Sequence, residues 1–138
     1  MTSLYTATAI STGDGRNGHV TSSDGILDVD VRMPKELGGA GGATNPEQLF
    51  AAGYAACFHS ALKLVTKAAG VDVDGTEVVA DVSLLANGNG GFGLAVALEV
   101  AIPNADEATA RSLVEKAHEV CPYSNATRGN IEVTLNLA

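Results

Sequence analysis

Apolar positions in the first third of the chain come in short runs that alternate with polar ones and stop at turn residues. Residues 5–12, with their Thr and Ile content, suit a pleated surface and predict a first strand, which the loop Gly13-Asp14-Gly15-Arg16-Asn17-Gly18 breaks. A second short strand over residues 19–22 leads into the turn Ser23-Asp24-Gly25. Beyond it, Leu27, Val29, Val31 and Met33 alternate with Asp28, Asp30 and Arg32, as in a half-buried antiparallel strand.

After Pro34 and the flexible connection Gly38-Gly39-Ala40-Gly41-Gly42, the period changes. Thr44-Asn45-Pro46-Glu47 combines a capping residue, a first-turn proline and an early carboxylate, and predicts a helix start. Phe50, Gly53, Tyr54, Cys57, Ala61, Leu64, Val65 and Ala68 then recur at spacings of three and four until Gly70. Small or apolar residues occupy nearly every side of residues 49–62, which predicts a helix buried all round, the spine of the core. Strands over 76–86 and 92–102 follow, joined into a hairpin by Asn87-Gly88-Asn89-Gly90-Gly91. A second helix over 106–120 puts Ala110, Leu113, Val114, Ala117, Val120 and Cys121 on one stripe, and Pro122 ends it. Alternating Ile131, Val133, Leu135 and Leu137 make the last strand. The order β-β-β-α-β-β-α-β is α+β, in one domain over 1–138, without internal repeat or regular βαβ alternation.

Composition narrows the chemistry. Hydrophobic residues are 46% and charged residues 17%, outside the low-hydrophobicity, high-charge regime of disorder. Sixteen acidic residues against 8 Lys plus Arg, with no Trp, leave a nucleic-acid partner without its phosphate neutralisers or stacking platforms. The N-terminus lacks the basic and apolar regions of a signal peptide, so the expected setting is reducing and cytoplasmic. The longest unbroken apolar run, residues 49–58, is about half of the roughly 20 residues a bilayer-spanning helix needs, so no membrane association is expected. Two cysteines are too few for a disulfide scaffold. Asn125-Ala126-Thr127 would be a glycosylation sequon only in a secreted protein.

Most candidate sites have a plain structural explanation. Gly88-x-Gly90-x-x-Gly93 has the spacing of a dinucleotide fingerprint, but a strand follows where that mechanism needs a helix N-terminus, so it reads as a hairpin turn. A zinc site drawn from Cys57, His59, His118 and Cys121 fails on spacing, because residues two apart on a helix point about 200° apart. No metal is expected. His19 has no identifiable partner and reads as a solvated strand histidine. Glu47 alone is a helix-dipole carboxylate, and Arg16 alone a turn residue. Cys57, between Ala55, Ala56 and Phe58, is in apolar surroundings that favour inert burial; a reactive thiolate there needs a cation from elsewhere, since the nearest basic residue along the helix is Lys63.

The segments from Asn45 to Phe58 and from Cys121 to Asn130 resemble the OsmC/Ohr family, the second, with Cys-Pro-Tyr-Ser-Asn-Ala-Thr-Arg-Gly-Asn, the organic hydroperoxide resistance branch. Leu4-Tyr5-Thr6-Ala7-Thr8-Ala9, Gly15-Arg16-Asn17-Gly18 and Ser22-Ser23-Asp24-Gly25 extend the likeness across the chain. The resemblance implies an OsmC-like intertwined homodimer, its buried central helix carrying the nucleophilic cysteine, that reduces alkyl or fatty-acid hydroperoxides in the oxidative stress response. It implies Cys57 as peroxidatic nucleophile, Cys121 as resolving thiol, Arg16 as the missing cation and Glu47 as the carboxylate orienting it. It implies no bound cofactor, and an external dihydrolipoyl reductant carried by a lipoylated protein. The alternatives are an OsmC-subgroup peroxidase of broader peroxide use and a non-catalytic small-molecule or lipid binding domain.

One geometric expectation follows independently. Glu47 and Cys57 are ten residues apart, about 15 Å of rise on a straight helix, so one arginine head does not bond both. Either the helix breaks near Gly53 or the site is assembled with a second subunit.

Overall fold

β1 (Ala9–Asp14) pairs with β2 (Asn17–Ser22) from Ala9↔Ser22 to Asp14↔Asn17, which leaves only Gly15 and Arg16 to turn the chain. Two-residue hairpins ask for a positive φ at the first central position, and Gly15 supplies it at 59°. The expected loop of residues 13–18 therefore contracts to two, because Gly13, Asp14, Asn17 and Gly18 continue the ladder. Arg16 sits at the tip of the hairpin. β3 (Asp28–Asp30), shorter than the alternating run, pairs antiparallel with β2, and Val31 adds a bridge to Thr44. The glycine run is folded rather than loose. Gly39 and Gly41 donate backbone N–H groups to Pro34 and Met33 carbonyls at 3.0 Å, after one 3₁₀ turn over Lys35–Leu37.

The computed structural model of the chain describes residues 2–138, in two compact units that divide between Leu49 and Phe50. α1 (Pro46–Ala68) is capped where the sequence reading places it: the Asn45 side-chain oxygen accepts from the Gln48 N–H at 2.9 Å. By length and composition alone this helix could cross a bilayer. It instead buries Tyr54, Phe58, Ala61, Leu62 and Thr66 as a core helix does. It is not buried all round: Ala52 and Ala56 are exposed and Leu64 is 63% exposed, since packing from one side covers one face of a helix.

In the second unit, β4 (Glu77–Ala86) and β5 (Phe92–Ala101) form the antiparallel hairpin, and β6 (Val133–Leu137) lies parallel to β5. Along β5, Val96, Leu98 and Val100 turn inward and Glu99 outward. They meet Tyr54, Phe58 and Leu62 of α1 and Leu113, Val114 and Ala117 of α2 (Glu107–Val120) in one core. Each such fully buried Leu, Val or Phe contributes about 1.5–3 kcal/mol. The Gly88 and Gly90 backbone carries positive φ in the β4–β5 turn, with strand on both sides.

Pro122 does end α2, but it also starts α3 (Pro122–Thr127), which the sequence reading passed over. Proline at the first helical position loses nothing, because that N–H has no intrahelical partner. The element order is thus β-β-β-α-β-β-α-α-β, still α+β.

Candidate redox site

Cys57 lies midway along α1 and is half-buried; Cys121 is fully buried at the α2–α3 junction. Both are free thiols. The Cys121 backbone is held from two directions: its N–H donates to Ala117 O and its carbonyl accepts from the Asn125 N–H, each at 2.9 Å. Burial pushes the Cys57 thiol above its ordinary value, the Tyr123 backbone N–H works against that, and the neighbouring Cys121 thiol adds to it. Cys57 opens on a groove of about 600 Å³ with apolar walls from Leu64, Val73, Val120 and Pro122, and with Lys63 and Lys67 also on its lining.

Arg16 and Glu47 also come together. The guanidinium donates through Nη1 and Nη2 to the two carboxylate oxygens at 2.9 and 2.7 Å, the bidentate fork that only arginine makes. The hydrogen bond from Arg16 holds the Glu47 carboxyl below the usual carboxylate range, and Glu47 raises Arg16 in return. The β1–β2 turn presents one partner and the first turn of α1 the other. α1 runs unbroken through Gly53, so of the two arrangements expected the break between Glu47 and Cys57 is absent. The glycine has a different reason. A Cβ there would lie 2.6 Å from the Tyr123 hydroxyl.

His19 corrects the sequence reading. Its ring nitrogens pair with Asp30 at 2.7 Å and with Asp28, because β2–β3 pairing sets His19 opposite Asp30. Hydrogen bonds to Asp30 and then Asp28 raise the His19 ring above its ordinary value. His59 pairs with Thr76 at 3.0 Å and His118 with Ser124 at 2.8 Å; among the described residues no three His, Cys, Asp or Glu side chains gather as metal ligands.

The sequence reading missed a buried polar network beside the cysteines. The Tyr54 hydroxyl meets Ser124 Oγ at 2.7 Å and Thr127 Oγ1 at 3.1 Å, and His118 Nδ1 completes Ser124. The Tyr123 ring packs against Tyr54 and Phe50, with centroids 5.5 and 5.9 Å away. The one signal for it was the run of hydroxyl residues just after Cys121-Pro122.

Residues 39–136 match the family of OsmC-like proteins. The chain belongs to that family. Over 137 residues it is 57% identical to the organic hydroperoxide resistance protein of Xanthomonas axonopodis pv. citri, covering 98% of this chain and 95% of that one. It is 49% identical to the organic hydroperoxide resistance protein OhrB of Bacillus subtilis, covering 97% and 98%. Among solved structures it resembles an organic hydroperoxide resistance protein from Elizabethkingia anophelis, with TM-score 0.94, 56% identity and coverage of 100% and 99%. The fold expected from the sequence is therefore that of the OsmC-like family, with α3 added to the order.

Proposed function

We propose that this OsmC-like protein is a cytoplasmic thiol peroxidase that reduces organic hydroperoxides, with Cys57 as nucleophile and Cys121 as resolving thiol. The observation that carries this reading is a half-buried Cys57 opening on an apolar groove, with a second free thiol at the buried Cys121, in a chain so similar to organic hydroperoxide resistance proteins. The Cys57 thiolate attacks the distal peroxide oxygen. An S–O bond forms as the O–O bond breaks, and the alkoxide takes a proton to leave as alcohol. The Cys121 thiol then attacks the resulting sulfenic acid, closing a disulfide and releasing water. A dihydrolipoyl dithiol returns both thiols and becomes the lipoyl disulfide. The apolar groove at Cys57 suits alkyl or fatty-acid hydroperoxides better than hydrogen peroxide.

Burial alone opposes the thiolate, so the reaction needs a cation at the sulfur. In this reading the Arg16 guanidinium, oriented by Glu47, stabilises the thiolate and the leaving alkoxide. The unbroken helix sets Glu47 and Cys57 about 15 Å apart along its axis, so a homodimer in which the partner's Arg16–Glu47 pair faces Cys57 is the proposed catalytic unit.

The test counts free thiols after stoichiometric tert-butyl hydroperoxide. Wild type is expected to lose both thiols to one disulfide, Cys121→Ser to consume peroxide once through a Cys57 sulfenic acid, and Cys57→Ser to leave the peroxide untouched. Wild type retaining both thiols with peroxide unconsumed would sink the enzyme reading in favour of a binding domain.

A further inference from the structure

The hydrogen-bonded network beneath the thiols has a symmetry in sequence that the peroxide chemistry does not use. Tyr54 lies three residues before Cys57 on α1, and Ser124 lies three residues after Cys121 on α3. Their hydroxyls meet at 2.7 Å, and both side chains are fully buried. One hydrogen bond thus cross-links the two backbones that carry the sulfurs. Thr127 adds a second attachment from the far end of α3 at 3.1 Å, and His118 ties Ser124 to the last turn of α2 at 2.8 Å. Besides this network only the Tyr123 ring, packed on Phe50 and Tyr54, is seen to tie α3 to α1 among the described residues, and α3, a six-residue helix of Pro, Tyr, Ser, Asn, Ala and Thr, is too short to hold itself.

The four side chains form one connected chain, from His118 Nδ1 to Ser124 Oγ, from Ser124 Oγ to the Tyr54 hydroxyl and from there to Thr127 Oγ1. Thr127 Oγ1 also donates to the Ser124 carbonyl at 3.3 Å, so each of the three hydroxyls has two partners. Burial holds His118 below its ordinary value. Removing a single member takes away a hydrogen bond that ties the helices together, and the junction at Cys121 loses a fixed point.

We propose that Tyr54, Ser124 and His118 are positioning residues that hold Cys121 in line for the Cys57 sulfenic acid, and so set the rate of disulfide closure without setting the rate of peroxide attack. The proposal rests on the redox pairing of Cys57 and Cys121 argued above. Closure breaks the Cys57 S–O bond, forms the S–S bond and releases water, which needs the Cys121 sulfur in line with that S–O bond. Attack on the peroxide needs only Cys57 and its cation. When closure is slowed, the sulfenic acid persists and a second hydroperoxide oxidises it to sulfinic acid, leaving as alcohol.

The experiment mixes reduced full-length protein with tert-butyl hydroperoxide. It follows peroxide loss, disulfide formation and dimedone-trapped sulfenic acid in wild type, Tyr54→Phe and Ser124→Ala. Closure in both variants is expected to slow about ten- to a hundredfold, with the rate of peroxide attack within about threefold of wild type. Dimedone adducts and sulfinic acid should rise together. Closure at the wild-type rate in both variants would overturn the proposal, as would equal slowing of attack and closure, which marks general loosening of the fold. Failure of wild type itself to form a disulfide would refute the underlying redox reading instead, so the two failures are separable. Reading both steps in a single protein sample keeps a change in stability from imitating the result.

Discussion

The Arg16–Glu47 pair and the Tyr54–Ser124–His118 network each join residues far apart in sequence, with opposite physics. The first is a charged fork on a hairpin tip and a helix start, with Arg16 35% exposed and Glu47 16% exposed. The second is neutral and almost wholly enclosed, a chain of hydroxyls ending on an imidazole. A part-exposed ion pair adds little to stability, about 0–1 kcal/mol, and is free to serve chemistry. A buried hydroxyl chain is costly to interrupt, about 1–3 kcal/mol for each group left unpaired, and serves to fix positions. In the proposed reaction the two would divide the work: charge for the sulfur that attacks, and geometry for the sulfur that resolves.

The largest effect that tests this division is on the charged side. Arg16→Ala is expected to slow peroxide attack by about 10²–10³-fold, the usual loss when a charge-stabilising donor is removed from a developing oxyanion. Arg16→Lys should recover only part, because an ammonium lacks the bidentate fork that Glu47 holds. Disulfide closure, started from Cys57 sulfenic acid, should keep its wild-type rate. Set beside Tyr54→Phe, this gives a crossed pattern read by stopped-flow peroxide loss and thiol counting. Arg16→Ala slowing both steps alike would erase the distinction between the two regions.

Gly53→Ala is expected to act more mildly. In a helix interior Ala gains about 0.5–1 kcal/mol over Gly, while the new Cβ meets the Tyr123 hydroxyl at 2.6 Å and displaces it. The obstacle is the far end of a side chain that is 37% exposed, so the ring can swing and net stability should stay within about 1 kcal/mol of wild type in urea unfolding. Closure should slow, because Tyr123 is bonded directly to Pro122 and Ser124 and its N–H faces Cys57. Unchanged closure would show that Tyr123 packing on α1 contributes nothing to the placement of Cys121.

These two regions differ equally in how they announce themselves along the chain. Element types were readable wherever one face alternates or repeats: Asn45-Pro46 marked the start of α1, Asp106 that of α2, and inward Val96, Leu98 and Val100 the core strand. Arg16 and Glu47 stood out as charges in distinctive settings, a glycine-rich turn and a helix start. Tyr54, Ser124, Thr127 and His118 carry only the weak signature of the hydroxyl run after Cys121-Pro122, because a hydroxyl is a core partner or a surface group according to what packs on it. Pro122 misled for a related reason: the residue that stops one helix is also well suited to start another. The all-round apolar character of α1 exceeds what the single chain buries, since periodicity shows what a helix could bury and not which neighbours cover it.

The smallest predicted effect is on the charged side, and its sign separates its two ion pairs. Glu47 is held below its ordinary range by Arg16, so that pair's stabilisation is present above the unfolded carboxylate value and is lost as pH falls through the folded one. His19 runs the other way. Hydrogen bonds to Asp30 and then Asp28 raise it above its ordinary value of 6.5, so its contribution is complete below that value and is lost as pH rises through the raised one. The β2–β3 ladder should therefore loosen slightly at alkaline pH while the Arg16–Glu47 pair is unaffected. A proton NMR titration of the His19 ring checks this: its midpoint should lie above 6.5 in wild type and fall in Asp30→Asn, with a smaller fall in Asp28→Asn. His19 is exposed, so added salt should shrink these differences. A midpoint at or below 6.5 would mean that the two aspartates do not hold the ring as a cation, and that nothing but backbone pairing fixes the strand beside the Arg16 turn.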